Sequence, residues 1–159
     1  MGIHTAAGTT VAIGTSDVAD NLVDFQADTP YVPIGNIENA GETGSEAEIV
    51  TGLFLDRRYA RKSKGTRDNG VMTLVVARDS EDAGYAALVA AEKTDHAYNF
   101  KVTLNDAPPG DDSTPSTFYF AALVASARTA INESNSIVLT TFALAISGEV
   151  FEVAASDGA

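Results

Sequence analysis

The alternation of apolar and polar residues along this chain predicts a protein made mainly of β-strands. In residues 98–104 the apolar side chains occupy every second position, which is typical of a strand with one buried face. Residues 48–55 and Val71–Ala77 are rich in β-branched and apolar side chains, and we expect them to form a hairpin with a long connecting loop. Residues 117–126 and 137–146 are apolar on both faces, so both strands should be covered on two sides.

A single segment, residues 80–93, predicts an α-helix. Asp79 or Ser80 can cap its N-terminus, acidic side chains follow in its first turn, and Lys93 lies in its last turn, as the helix dipole favours. Its apolar side chains fall on one face, which we expect to lie across the sheet. These side chains are Tyr85, Leu88 and Val89.

These elements fit one domain that spans the whole chain, residues 1–159. Apolar residues make up 45% of the chain, which is enough for one continuous core. Residues 1–9 are rich in glycine, threonine and alanine and predict a flexible N-terminal arm. The predicted fold class is therefore mainly β with one α-helix, an antiparallel β-sandwich or barrel flanked by that helix.

Positive charge is concentrated in one short stretch of an otherwise acidic chain. Residues 57–67, the basic segment, contain six of the ten lysine and arginine residues, although the whole chain has a formal charge of −12. The other 148 residues therefore carry a formal charge of −18. Such an acidic body disfavours nucleic-acid binding, because phosphate neutralisation needs a basic face. The charge pattern favours contact between the basic segment and an acidic protein surface, such as that of a second copy.

The basic segment lies within the predicted long loop, residues 56–70. Loops of this length without structure of their own are uncommon in compact domains, and they usually have a function or become ordered on assembly. The alternative is an ordinary solvated surface loop. We expect an interface with another copy of the chain, with the loop mobile in the free subunit. The predicted interface residues are Arg57, Arg58, Tyr59, Arg61, Lys62, Lys64 and Arg67.

The sequence offers little catalytic chemistry. It has no cysteine, and its two histidines, His4 in the N-terminal arm and His96 next to Asp95, have the surroundings of surface residues. No spacing typical of a zinc, calcium or nucleotide site is present, so we predict no enzyme and no catalytic, cofactor or metal residues. Pairs of carboxylates are numerous, but an acidic chain contains many by chance. No apolar run is long enough to span a membrane, and we expect synthesis in the cytoplasm.

Five stretches carry a characteristic order of glycine and apolar residues. They are residues 31–56 (YVPIGNIENAGETGSEAEIVTGLFLD), 68–74 (DNGVMTL), 82–88 (DAGYAAL), 100–104 and 146–148. Taken in this order, they resemble the tail tube protein, or major tail protein, of bacteriophages with long non-contractile tails. Related tubes occur in gene transfer agents, contractile tails and secretion systems. The resemblance extends over residues 31–153.

The resemblance implies a small antiparallel β-sandwich or barrel with one flanking helix. It implies that homohexamers close into rings, that the rings stack into a hollow tube, and that DNA passes through the lumen without specific binding. Its implied partners are copies of the chain itself and the tail terminator, distal tail and tape-measure proteins, with no cofactor and no membrane. The expected location is the tail of a virion that is assembled in the cytoplasm of a bacterial host.

Two acidic side chains of the strand before the basic segment, Glu46 and Glu48, are candidates to line the lumen. An acidic lumen would repel the phosphate backbone and let DNA slide. Two other functions remain open at this point. One is a monomeric β-sandwich binding module, such as a capsid decoration protein, although the chain has no tryptophan for a ligand platform. The other is a small hydrolase, which rests only on unassigned carboxylates.

Overall fold

The computed structural model describes residues 2–16 and 18–158, and within these ranges it contains nine β-strands and two α-helices. Residues 2–9, the described part of the predicted N-terminal arm, have no helix or strand, and residue 1 of that prediction lies outside the described residues. The strands are β1 (Thr10–Ile13), β2 (Val32–Ile34), β3 (Ile37–Asn39), β4 (Glu46–Gly52), β5 (Arg61–Asp68), β6 (Val71–Ala77), β7 (Tyr98–Thr103), β8 (Thr117–Ala130) and β9 (Leu139–Val153), and the helices are α1 (Leu22–Ala27) and α2 (Ala83–Glu92).

Seven strands form one antiparallel sheet, in the order β2-β1-β7-β8-β9-β6-β3. Strands β2 and β3 are at opposite ends of this order, yet only Gly35 and Asn36 separate them in the chain. Because neighbouring Cα atoms are about 3.8 Å apart, Ile34 and Ile37 lie within about 11 Å of each other. The sheet must therefore curl until its two edges approach, and the result is a barrel with a seam between β2 and β3.

Helix α2 begins at this seam. The predicted cap, Asp79 or Ser80, was wrong: Asp82 caps the helix by accepting a hydrogen bond from the backbone N–H of Tyr85. The same carboxylate accepts a hydrogen bond from Gly35 N at 3.1 Å. Gly84 lies so close to β2 that a methyl group there would collide with the backbone of Pro33 and Ile34. The helix is therefore fixed to the edge of the sheet through its first turn.

The interior of the barrel is one apolar core to which α2 and strands β1, β2, β6, β7, β8 and β9 all contribute. Tyr85 and Leu88 of α2 are buried in it and Val89 is half-buried, which confirms the predicted apolar face. The ring of Tyr85 packs edge-on against Phe142, and its hydroxyl lies 3.1 Å from Thr140 Oγ1. Phe100 and Phe120 stack at 5.7 Å between ring centroids.

A second, smaller cluster covers the outer face of the sheet at β8. Phe25 of α1 is buried there with Tyr119 and Ala121, and the ring of Phe151 lies 5.7 Å from that of Phe25. The α1 segment, residues 18–31, thus supplies part of the second cover that the doubly apolar strands require.

Two sequence predictions about the elements also need correction. A second helix, α1, exists, and Asn21 caps it by accepting a hydrogen bond from Asp24 N at 3.0 Å. The predicted hairpin between residues 48–55 and β6 does not form, because β6 pairs with β9 and β3 instead. The strand near residue 48 pairs with β5, a strand that lies inside the predicted loop.

Candidate subunit interface

Strands β4 and β5 form a two-stranded antiparallel sheet of their own, separate from the barrel. We call residues 46–68 the basic hairpin and residues 53–60 its tip. The prediction of a structureless loop over residues 56–70 was wrong, since β5 occupies Arg61–Asp68. It failed because every β5 side chain is exposed, so no alternation of apolar residues marks the strand.

The base of the basic hairpin is fixed to the barrel. Asn69 donates a hydrogen bond from its side-chain nitrogen to the carbonyl oxygen of Gly148 on β9. Gly70 has a φ of 69°, a conformation that glycine adopts without strain, and its N–H donates to Asp68 Oδ1 at 2.8 Å. The turn from β5 into β6 therefore fixes the position from which the hairpin projects.

The tip of the basic hairpin presents apolar side chains to solvent. Leu53 is 83% exposed, Phe54 is 56% exposed and Leu55 is fully exposed. Along β4, Ile49 and Val50 are also more than half exposed. Contiguous exposed apolar residues of this kind mark interaction sites in proteins that are otherwise well packed.

The predicted interface residues all lie on this hairpin. Arg57, Arg58 and Tyr59 are in the tip, whereas Arg61, Lys62, Lys64 and Arg67 are on β5. Arg57 Nε lies 3.8 Å from Asp56 Oδ2, and Arg67 donates to Ser45 Oγ at 3.3 Å.

Within residues 2–16 and 18–158, five of the six cations in the basic segment form no ion pair with a carboxylate. They are Arg58, Arg61, Lys62, Lys64 and Arg67, of which Arg67 is hydrogen-bonded to the uncharged Ser45. Their charges lie beside the exposed apolar side chains of the tip and of β4. The hairpin therefore presents cations and apolar side chains together. A partner surface that has both acidic and apolar side chains could bind it.

The two candidate lumen residues lie on the same hairpin, in β4. Glu46 pairs across the hairpin with Asp68, close to the barrel, and Glu48 lies at a register shift between Ala47 and Ile49. Both side chains are exposed. Their assignment to a lumen stays a prediction.

A cluster of polar groups holds the α1 segment to the barrel. Asp28 accepts hydrogen bonds from Thr15 N at 3.0 Å, from Thr15 Oγ1 at 2.7 Å and from Asn99 Nδ2 at 2.9 Å. Partial burial alone would raise the pKa of Asp28, but these hydrogen bonds together outweigh it and lower the pKa below its usual value. Asp28 is therefore ionised at neutral pH and serves as a structural acceptor.

The remaining candidates for chemistry are on the surface. His4 and His96 are exposed, as the sequence predicted. Among the residues that the structure describes, no three histidine or carboxylate side chains come together as a metal would require. In the same part of the chain, no helix has the length and apolar character to cross a membrane.

The chain is similar to known proteins in its structure but matches none by family model or curated sequence. No protein-family model and no curated protein matches the sequence. A chain of the anti-feeding prophage baseplate, solved with 6-fold symmetrisation, is similar with a TM-score of 0.71 at 10% identity, covering 97% of this chain and 98% of that one. The SPP1 tail tube protein is similar with a TM-score of 0.68 at 12% identity, over 92% of this chain and 76% of that one. The chain has the tail tube fold.

This fold is not restricted to one type of particle. A chain of the sheath/tube terminator from the extracellular contractile injection system PVC is similar with a TM-score of 0.66 at 12% identity, over 97% of this chain and 99% of that one. The predicted fold class, mainly β and antiparallel with one main helix, is confirmed, and so is the resemblance to tail tube proteins. The restriction to non-contractile tails stays a prediction.

The exposed apolar tip of the basic hairpin is the feature of the candidate interface that sequence reasoning missed. The sequence pattern places residues 53–55 at the end of a strand that pairs with residues 71–77, and it predicts no exposed apolar surface there. Two features of the sequence indicate that residues 53–55 are exposed. They lie next to the basic segment, and no alternation of apolar and polar residues follows them. Asp56 and then five cations in residues 57–64 follow this apolar triplet, so burial of the triplet in the subunit would draw charged side chains toward the core.

Proposed function

We propose that this chain is a structural tail tube subunit, which assembles into homohexameric rings that stack into a hollow tube for DNA. The observation that carries the proposal is the basic hairpin, which adds an exposed apolar and cationic projection to a tail tube fold. An isolated two-stranded hairpin is marginally stable in water unless it packs against something. A surface on a neighbouring subunit would provide that packing.

Charge segregation supports the stacking of rings. Head-to-tail stacking needs two different and complementary faces, and this chain supplies a basic projection and an acidic body. The sixfold symmetry of the anti-feeding prophage assembly supports six subunits per ring. Repetition of a weak ion pair around each ring would make the contact collectively strong.

The acidic body supports passage of DNA without specific binding. Outside the basic segment the formal charge of −18 repels phosphate, so a tube wall of this composition would not hold DNA fast. Glu46 and Glu48 are the proposed lumen residues. No cofactor and no catalytic step belong to this function.

The proposed partners follow from the same role. A tube needs a terminator at one end, distal tail proteins at the other and a tape-measure protein in its lumen. Similarity to a sheath/tube terminator chain supports the first of these contacts. The proposed location is the virion tail, after synthesis and assembly in the cytoplasm of a bacterial host.

Charge reversal in the basic hairpin tests the proposal. Replacing Arg57, Arg58 and Arg61 with glutamate should leave the subunit folded, because these side chains lie outside the core. The concentration needed for tubes should rise greatly or tubes should disappear, as judged by negative-stain microscopy and pelleting. High salt should weaken wild-type assembly in the same direction, because exposed charge pairs are screened beyond about 8 Å at physiological ionic strength.

The control reverses three exposed cations elsewhere, Arg78, Lys93 and Arg128, and should still form tubes. Wild-type protein that stays monomeric at every concentration would support the alternative, a monomeric binding module such as a capsid decoration protein. Tubes from the triple glutamate variant at wild-type concentrations would show that the hairpin is an ordinary solvated surface.

A further inference from the structure

A groove opens in the surface where the basic hairpin leaves the barrel. Its cavity volume is about 680 Å³, and its walls are the base of the hairpin and the facing parts of β8 and β9. Tyr119 pairs with Phe151 and Ala121 pairs with Ser147, so three residues of β9, 148–150, face the single residue Phe120. This bulge pushes β9 outward and forms one wall of the groove.

The groove combines an apolar lining with acidic side chains. Phe118, Ile146 and Val150 supply the apolar part, and Ile146 is buried in the barrel core. Asp68, Glu149 and Glu152 supply three carboxylates. The one cation in the lining is Arg67, whose guanidinium is engaged by Ser45. The groove therefore has a net negative charge over an apolar lining.

The hairpin tip has the complementary composition. Leu53, Phe54 and Leu55 are exposed apolar side chains, and Arg57 and Arg58 follow after one carboxylate, Asp56, so the tip has a net positive charge over exposed apolar groups. Burial of these apolar groups against Phe118 and Val150 would remove them from water. The two arginines would then lie beside carboxylates, with which arginine forms bidentate hydrogen bonds.

The tip cannot occupy the groove of its own subunit. Strand β4 runs from Glu46, beside the groove, to Gly52, before the tip, and at about 3.3 Å per residue it separates the two sites by about 20 Å. The hydrogen bond from Asn69 to Gly148 holds the base of the hairpin at the groove, so the tip, at the other end of the hairpin, lies far from it. The occupant must come from another molecule.

We infer that the groove at the base of the basic hairpin receives the hairpin tip of a second copy of this chain. This inference rests on the proposed self-assembly and adds to it the surface that the hairpin binds. The contact joins two different patches, so each subunit can donate a tip to one neighbour and accept a tip from another. One subunit type is then sufficient to build an open stack.

A charge swap tests the contact. A tip variant carries Arg57→Glu and Arg58→Glu, a groove variant carries Glu149→Lys and Glu152→Lys, and a swapped variant carries all four substitutions. Each two-site variant should raise the concentration needed for tubes by about tenfold or more, because repulsion replaces attraction in every subunit. The swapped variant should assemble again at close to the wild-type concentration. A 1:1 mixture of the tip and groove variants should co-assemble, since the tip of either variant has the opposite charge to the groove of the other variant.

The matched control introduces the same charge change outside the groove, by Asp111→Lys and Glu133→Lys in exposed loops. It should assemble like wild type, and far-UV circular dichroism should show that all variants are folded. If wild type forms tubes and the groove variant does so equally well, the groove is not the receptor, although tube assembly stands. If the control fails as the groove variant does, or the swapped variant is not rescued, the specific contact is excluded. A wild-type protein that never assembles overturns both this inference and the proposed function.

Discussion

The barrel and the basic hairpin are both β-structure, but they are stabilised in different ways. In the barrel, Phe100, Phe120 and Leu144 are fully buried, and their strands are held by packing as well as by backbone hydrogen bonds. In the hairpin, every β5 side chain is exposed and β4 has no buried residue. The hairpin thus holds its conformation through backbone pairing and its attachment to the barrel. Its exposed side chains are available to a partner, whereas those of the barrel interior serve the fold.

The same substitution in the two regions gives the largest expected contrast. Leu88→Ala in the barrel should lower the free energy of unfolding by about 2–5 kcal/mol, because Leu88 is fully buried and its truncation leaves a cavity. Leu55→Ala in the tip should change it by less than about 0.5 kcal/mol, because Leu55 is already in water. Chemical denaturation of the unassembled subunit measures both. Equal losses from the two variants would mean that the tip is part of the subunit core.

The contrast also explains which features could be predicted from the sequence. Strands β6, β7, β8 and β9 face the core, so their sequences show either alternating apolar and polar residues or a continuous apolar run, and both patterns can be recognised. Helix α2 can be recognised in the same way from its buried side chains Tyr85 and Leu88. Strand β5 has no buried face, and its composition, RKSKGTRD, is that of a solvated loop. The pairing of β5 with β4 depends on the chain path between β3 and β6, which local pattern does not reveal.

Helix α1 and the groove were missed for different reasons. Six residues give α1 too few turns for a clear period, although Asn21 as a cap and Phe25 as its buried residue are visible in retrospect. The groove brings Phe118 of β8 together with Asp68 and Glu149, which are far apart in the chain. Such long-range placement follows from strand register and a bulge in β9. The segregation of charge could be seen in the sequence, and it points to residues 57–67 as an interface, which stays a prediction.

A substitution at the seam tests whether the barrel is closed as tightly as its packing indicates. Gly84→Ala should improve helix propensity by about 1 kcal/mol, but its methyl group would collide with the backbone at Pro33 and Ile34. Overpacking of this kind typically costs about 1–3 kcal/mol, so we expect a net destabilisation of up to about 2 kcal/mol. Gly44→Ala is the control, because no atom lies within 4 Å of the added group. A more stable Gly84→Ala variant in thermal denaturation would show that α2 can move away from β2.

The smallest expected effect concerns the α1 segment, which is held to the barrel partly by packing and partly by the polar contacts of Asp28. Hydrogen bonds from Thr15 and Asn99 lower the pKa of Asp28 in the folded state below its usual value of 3.8. The stabilisation is therefore fully present above that usual value, and it is lost as the pH falls through the lowered pKa of the folded state. Asp28→Asn should be less stable than wild type at pH 7 by roughly a few tenths of a kcal/mol, since solvent screens a partly accessible group.

Chemical denaturation of both proteins at several pH values, from neutral to strongly acidic, measures this difference in the free energy of unfolding. The difference should shrink as the pH falls, because protonation of Asp28 removes from the wild type the charge that Asp28→Asn already lacks. A gap that stays constant or widens toward acid would mean that the charge of Asp28 does not hold the α1 segment, and that the packing of Phe25 against Tyr119 suffices.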